Sequence, residues 1–265
     1  MNRSAIFLGF ILILAVIVPQ QVFAYKLETE WERSFDIGKD PEFILKNVNG
    51  RIEVEGWDRD EIWVMAEITI RASSRTKAER IFKKIDFEVD ADRHEVFVRA
   101  DLPKMNSGSF FGLLGGNRES INISYHVKVP YRTHFELESV NGRITVEDVE
   151  GIFLVKTVNG GIDLDLEGGA GDISTVNGGI DCDLKRFPIG GELNVKTVNG
   201  SVDLNLPDDT GAVLDARTMN GRVRLDFRLK DVSYRKKRKL KGVIGDGDGY
   251  INVRTTNGGI DIDRL

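Results

Sequence analysis

The chain is poor in most of the residues that usually announce chemistry. It has one cysteine in 265 residues, Cys182, so no disulfide can form within it. A chain this long can bury about 70% of its unfolded surface and needs no such staple. It has three histidines, His94, His126 and His134, none at zinc-ligand spacing. There is no Gly-x-Ser-x-Gly nucleophile motif and no phosphate-binding glycine loop. The six prolines are scattered, and no Pro- or Ser-rich linker divides the chain. The net charge of −5 excludes the strongly basic balance of a general nucleic-acid binder. Only one long apolar run exists, Ala5 to Val18, and it is 14 residues long. That is short of the roughly 20 needed to span a bilayer.

That run is preceded by Arg3, broken by Pro19, and followed by Val22-Phe23-Ala24. A positive start, an apolar stretch and a small-residue end are the anatomy of a secretory signal peptide, so residues 1–24 are expected to be removed. The expected address is therefore the periplasm or the cell exterior. Without Arg3 the net charge becomes −6.

What the chain has in abundance is one dipeptide. Asn-Gly occurs seven times, at Asn49, Asn141, Asn159, Asn177, Asn199, Asn220 and Asn257. The last six are spaced 18, 18, 22, 21 and 37 residues apart. Three residues after each Asn stand Ile52, Ile144, Ile162, Ile180, Val202, Val223 and Ile260. Five after stand Val54, Val146, Leu164, Cys182, Leu204, Leu225 and Ile262. The positions between and beyond them are polar, chiefly Asp. Apolar-polar alternation is a strand with one wet face. A second alternating stretch precedes each Asn. Each unit is thus strand, Asn-Gly corner, strand, and a more variable second turn.

Two architectures fit. In a hairpin meander each Asn-Gly is a type I′ turn. In a β-solenoid each unit is one coil, and like stacks on like. The near-identity of the columns favours an all-β, parallel β-helix-like solenoid of 18–22-residue coils with TVNG corners. Asn and Gly are expected at the corner because both tolerate positive φ, and stacked Asn side chains are expected to share amide bonds along the axis. Cys182, in a Val/Leu/Ile column, reads as a buried small hydrophobe.

Residues 25–135 form a β-rich N-terminal part holding the first Asn-Gly unit. Ala78, Ile81, Phe82 and Ile85 fall at helical spacing behind Ser74 or Thr76 as cap, which predicts one short helix covering a sheet or a solenoid end. Residues 136–265 carry the tandem repeats, with a basic insert at 228–249.

The stretches NVNGRIEVEGWDRDEI and VPYRTHFELESVNGRITVEDVEG, followed by tandem TVNG units, resemble the DUF4097 group of candidate bacterial adhesins. The resemblance covers nearly the whole chain after the leader. It implies a β-solenoid on the bacterial envelope and brings no catalytic residues.

Candidate sites are few. Asp163/Asp165, Asp181/Asp183 and Asp261/Asp263 invite a Ca²⁺ or glycosidase reading, but spacing of two is what a solvated strand face produces. No catalytic, cofactor or metal residue is assigned. Arg235, Lys236, Lys237, Arg238, Lys239 and Lys241 form a basic run suited to an anionic surface. Phe110 and Phe111 lie in a loop with apolar residues available to dock a partner. The C-terminal TTNGGIDIDRL reads as an uncapped last coil that would permit self-association. Together these imply an exported, non-enzymatic envelope protein that binds a protein or glycan through solenoid faces. The alternatives are a polysaccharide-acting β-helix enzyme and a self-assembling scaffold.

Overall fold

The computed structural model describes residues 25–103 and 119–265. The expected signal segment, residues 1–24, and the stretch holding Phe110 and Phe111 lie outside the described residues.

In chain order the elements are β1 (Tyr25–Asp36), β2 (Glu42–Lys46), β3 (Ile52–Trp57), β4 (Glu61–Ala72), α1 (Arg75–Phe82), β5 (Asp86–Ala91), β6 (Glu95–Asp101) and β7 (Ser120–Pro130). They continue with β8 (His134–Glu138), β9 (Ile144–Lys156), β10 (Ile162–Ser174), β11 (Ile180–Leu184), β12 (Glu192–Lys196) and β13 (Val202–Leu206). The last are β14 (Ala212–Asn220), β15 (Val223–Leu225), β16 (Lys230–Lys236), β17 (Lys239–Ile244), β18 (Gly249–Asn257) and β19 (Ile260–Arg264).

Each Asn-Gly corner joins a strand of one sheet to a strand of another. The strands after the corners pair in parallel in the order β3–β9–β10–β11–β13–β19–β15. The strands before them pair in parallel as β2–β8–β9–β10–β12–β18–β14. β9 and β10 belong to both sheets because they run through the second turn without a break. Residues facing between the sheets form one core: Ile144, Ile162, Ile180, Val202 and Ile260 stack in register and are essentially inaccessible. Full burial of each such side chain contributes about 1.5–3 kcal/mol. This is the β-solenoid expected from the columns. Cys182 lies fully buried among them, and burial pushes its thiol pKa up.

The stack is not in sequence order. The C-terminal coil, β18 and β19, lies between the coil of Asn199 and the coil of Asn220. Ile251, Val253, Ile260 and Ile262 are buried there. The uncapped terminal coil expected at Asn257 is therefore a misreading: that coil is interior. The spatially last coil is that of Asn220, and it is covered. The residues that lengthen the last Asn-Gly spacing to 37 form an antiparallel hairpin, β16–β17, and β17 adds antiparallel to β14.

The other end is closed by a matching device. β7 adds parallel to β3, then β4 and β1 add antiparallel, while β6 and β5 extend the opposite sheet from β2. Helix α1 starts at Ser74, whose side chain caps the Lys77 amide, and its buried Ala78 and Ile81 face the core.

Candidate functional site

The corner explains why TVNG recurs. Each Asn side chain after the first donates to the Asn of the preceding coil in the stack, and Asn49 only accepts, so that seven residues form a ladder in the spatial order 49, 141, 159, 177, 199, 257, 220. All six bonds are 2.8 Å long. The Thr hydroxyls point inward and are buried. Thr157, Thr175, Thr197, Thr255 and Thr218 each donate to the corner Gly carbonyl of the neighbouring coil, at 2.8–3.2 Å. At the first coil the amide of Asn47 does this work, donating to the carbonyls of Gly50 and Ile123. The Val is the exposed letter of the motif, 40–43% accessible at Val48, Val140, Val158, Val176 and Val198. Its β-branched side chain suits the extended approach to the corner.

The glycine is required for a different reason than positive φ. None of the seven Asn has positive φ, and among the corner glycines only Gly50 does, at 122°. A Cβ on Gly142, Gly160, Gly178, Gly200, Gly221 or Gly258 would instead lie 1.8–1.9 Å from the corner carbonyl of the next coil. Stacking, not turn geometry, excludes a side chain.

The outer face of the post-corner sheet carries the acidic columns. In register run Asp163, Asp181, Asp203 and Asp261, and beside them Asp165, Asp183, Asn205 and Asp263. Basic side chains close the columns: Arg143 pairs with Asp163, Lys185 reaches Asp165 at 3.2 Å and Glu167 at 2.8 Å, and Arg224 reaches Asp261 at 3.2 Å. Asn205 breaks the second column by donating to Asp183 at 2.6 Å. Asp181 and Asp203 have raised pKa values, first through desolvation and then through neighbouring carboxylates. Among the described residues no three or more His, Cys, Asp or Glu side chains converge as a metal-holding group.

The basic run occupies one end of the solenoid. From Lys230 to Ile244 there are seven cationic residues and one acidic residue, a net of +6. The whole chain carries −5, so everything outside this hairpin sums to −11. Elsewhere on the repeat coils Arg143, Lys185, Arg186, Arg217, Arg224 and Arg264 have carboxylate partners. Among the described residues none of Arg235, Lys236, Lys237, Arg238, Lys239 and Lys241 forms an ion pair. The tip is anchored by backbone: Thr218 N–H donates to the Arg238 carbonyl at 3.0 Å, and Val223 N–H to the Lys237 carbonyl at 2.9 Å. The Arg238 guanidinium also donates to the Met219 carbonyl at 2.9 Å. Anchoring brings in two residues that no linear motif marks, Arg222 and Arg224, which line a cleft with Lys237.

Fold and corner define a class: a two-sheet β-solenoid stapled along one edge by an Asn ladder. The chain belongs to the DUF4097 family, described as Toastrack, whose model matches residues 47–263. A candidate cell adhesion protein from Clostridium sporogenes has a similar fold, with a TM-score of 0.51 at 14% identity, over 91% of this chain and 100% of that one. A candidate adhesin from Bacteroides fragilis (12% identity, 89% of this chain, 97% of that one) and a candidate lipid binding protein from Parabacteroides distasonis (11%, 89% and 96%) each align with a TM-score of 0.33. Scores that low leave the fold comparison resting on the Clostridium protein. No curated protein matches the chain significantly.

Proposed function

We propose that this chain is an exported, non-enzymatic binding protein of the bacterial envelope, which attaches through its basic end to a phosphate-bearing anionic surface. One observation carries the reading. Six cations are held on a backbone-anchored hairpin with no carboxylate partner among the described residues, in a chain whose remainder is strongly acidic. Six of the repeat coils' own cations, Arg143, Lys185 and Arg224 among them, are paired with carboxylates of the stack, and no other described run of the chain gathers so many unpaired cations. The acidic remainder turns the rest of the molecule away from such a surface and so orients it, with the solenoid standing clear as a rigid presenter of its faces. A binding role is in keeping with the adhesion role suggested for the Clostridium protein. The acids follow the repeat rather than break it, which favours a binding protein over a glycosidase.

The test is cosedimentation of the full chain with phosphatidylglycerol vesicles, and with phosphatidylcholine vesicles as control. Each basic residue near an anionic surface contributes about 1 kcal/mol, so Arg235→Gln, Lys236→Gln and Lys239→Gln together should weaken binding roughly 100-fold. Equal binding to both vesicles, or no effect of the triple substitution, would remove the proposal.

A further inference from the structure

Every interior corner makes the same backbone bond. The N–H of Gly50, Gly142, Gly160, Gly178, Gly200 and Gly258 donates to the Asn carbonyl of the next coil, at 2.9–3.2 Å. The stack ends at Asn220, so no coil stands ready for Gly221. The hairpin supplies two carbonyls in place of that missing coil, Arg238 to Thr218 and Lys237 to Val223. Those two bonds flank the corner, and Gly221 N–H has no acceptor among the described residues. Its backbone has the same packing as the interior corners, since a Cβ there would lie 1.8 Å from the Gly258 carbonyl.

Gly221 opens on a cleft of about 490 Å³ lined also by Arg222, Arg224, Lys237, Gly259 and Asp261. Arg224 and Asp261 neutralise each other at 3.2 Å. Arg222 and Lys237 have no ion pair among the described residues, which leaves the cleft with a net charge of +2. A backbone donor without an acceptor, set between cations, is how proteins hold a phosphate oxygen.

We infer that the terminal corner is a phosphate-binding site, in which a phosphoryl oxygen takes the place that an Asn carbonyl fills at every other corner. Arg222 and Lys237 supply the counter-charge, and Gly221 N–H supplies direction. This deepens the proposed attachment to a phosphate-bearing surface and rests on it for the ligand's source. The site distinguishes phosphate from a general electrostatic pull, because a directed backbone donor rewards an oxyanion and not merely negative charge.

The experiment follows backbone amides of the ¹⁵N-labelled full chain during titration with inorganic phosphate, against sodium chloride at matched ionic strength. The Gly221 amide should shift and saturate with phosphate alone, while those of Gly160 and Gly178 stay still. Arg222→Gln with Lys237→Gln should weaken that response at least tenfold. Both side chains are exposed and the Lys237 carbonyl is retained, so the remaining resonances report that the fold is intact. A Gly221 shift equal in phosphate and chloride overturns the site, as does an unchanged response in the double variant. The vesicle assay separates the two readings. Hairpin-dependent vesicle binding with an unmoved Gly221 keeps the surface reading and rejects the site. A saturating Gly221 response without vesicle binding keeps the site and makes its ligand a soluble or glycan-borne phosphate.

Discussion

Gly178 and Gly179 are adjacent, and the same substitution at each should have opposite consequences. At Gly178 an added Cβ would lie 1.9 Å from the Gly160 carbonyl oxygen and 2.5 Å from its carbon. Ordinary contact begins at 3.4 Å, so the neighbouring corner would have to retreat by about 1.5 Å in a stack spaced about 4.8 Å apart. Four hydrogen bonds oppose that retreat. Gly160 N–H donates to the Asn177 carbonyl at 3.0 Å and Asn177 N–H to the Val158 carbonyl at 2.8 Å. The Asn177 amide donates to Asn159 at 2.8 Å, and the Thr175 hydroxyl to the Gly160 carbonyl at 3.0 Å. At about 1 kcal/mol each, loss of most of them puts Gly178→Ala at roughly 3 kcal/mol of destabilisation. At Gly179 the nearest atom to a Cβ is the Ser201 carbonyl oxygen at 3.7 Å, which is ordinary contact. Of the six equivalent positions in other coils, four hold a side chain, Arg51, Arg143, Ser201 and Arg222, and two hold Gly161 and Gly259. Gly179→Ala should be neutral or stabilising by about 0.4–1 kcal/mol, through the unfolded chain. Urea unfolding of both variants beside the parent, compared at matched slope, reads the difference. Two variants within 1 kcal/mol of each other would refute the stacking account of the corner glycine.

Two further outcomes follow from the ladders. Asn177→Ala breaks two amide bonds and Asn220→Ala one, so the interior variant should lose about 1–2 kcal/mol and the terminal one about half of that, measured by the same urea unfolding; equal losses would show that the ladder does not transmit stability from coil to coil. Asp181 has a raised pKa in the folded chain, so the fold binds that proton more tightly than the unfolded chain does, and ionisation opposes folding. Asp181→Asn should therefore raise the melting temperature at pH 7, and the gain should fade as pH drops through the raised folded value, somewhat above the ordinary aspartate pKa of about 4. A gain independent of pH, or a loss at pH 7, would place the cause elsewhere.

Much of this fold was legible in the residues because stacking leaves a periodic record. A column of Ile52, Ile144, Ile162 and Ile180 can stay uniform only if each member meets the same neighbours, and a meander offers no such constraint. The role of the corner glycine was less legible. Positive φ and close approach both select Gly, and a sequence does not separate them; the packing at Gly142 and Gly178 does. The candidate basic site was legible as a run of charge, but its cleft was not. Arg222 and Arg224 are separated from Lys237 by more than a dozen residues and meet it only because the hairpin folds back over the terminal corner.

The order of the coils is the part that the columns hide, and the reason is the same regularity that reveals the fold. Every coil presents the same Asn and Gly and a β-branched Ile or Val to its neighbours, and all but the first two present a corner Thr, so the repeat says which column a residue occupies and not which coil lies beside it. Order must come from residues that depart from the consensus. Arg224 departs from an acidic column and pairs with Asp261, but its coil and that of Asp261 are consecutive in sequence and would meet in either order. Arg264 does discriminate: it reaches Asp226 at 3.2 Å and Asp208 at 3.7 Å, bridging the coils of Asn220 and Asn199 on both sides of its own. These exposed pairs contribute little energy singly. Their value is in the arrangement: only with the C-terminal coil inserted can Arg264 face carboxylates of two different coils at once. Inserting that coil also leaves the hairpin free to close the end, with its cations outward and the Gly221 corner open beneath its tip. The departure from sequence order and the basic site are thus one structural decision, because a chain that stacked its coils in sequence would end on an acidic Asp261 column instead.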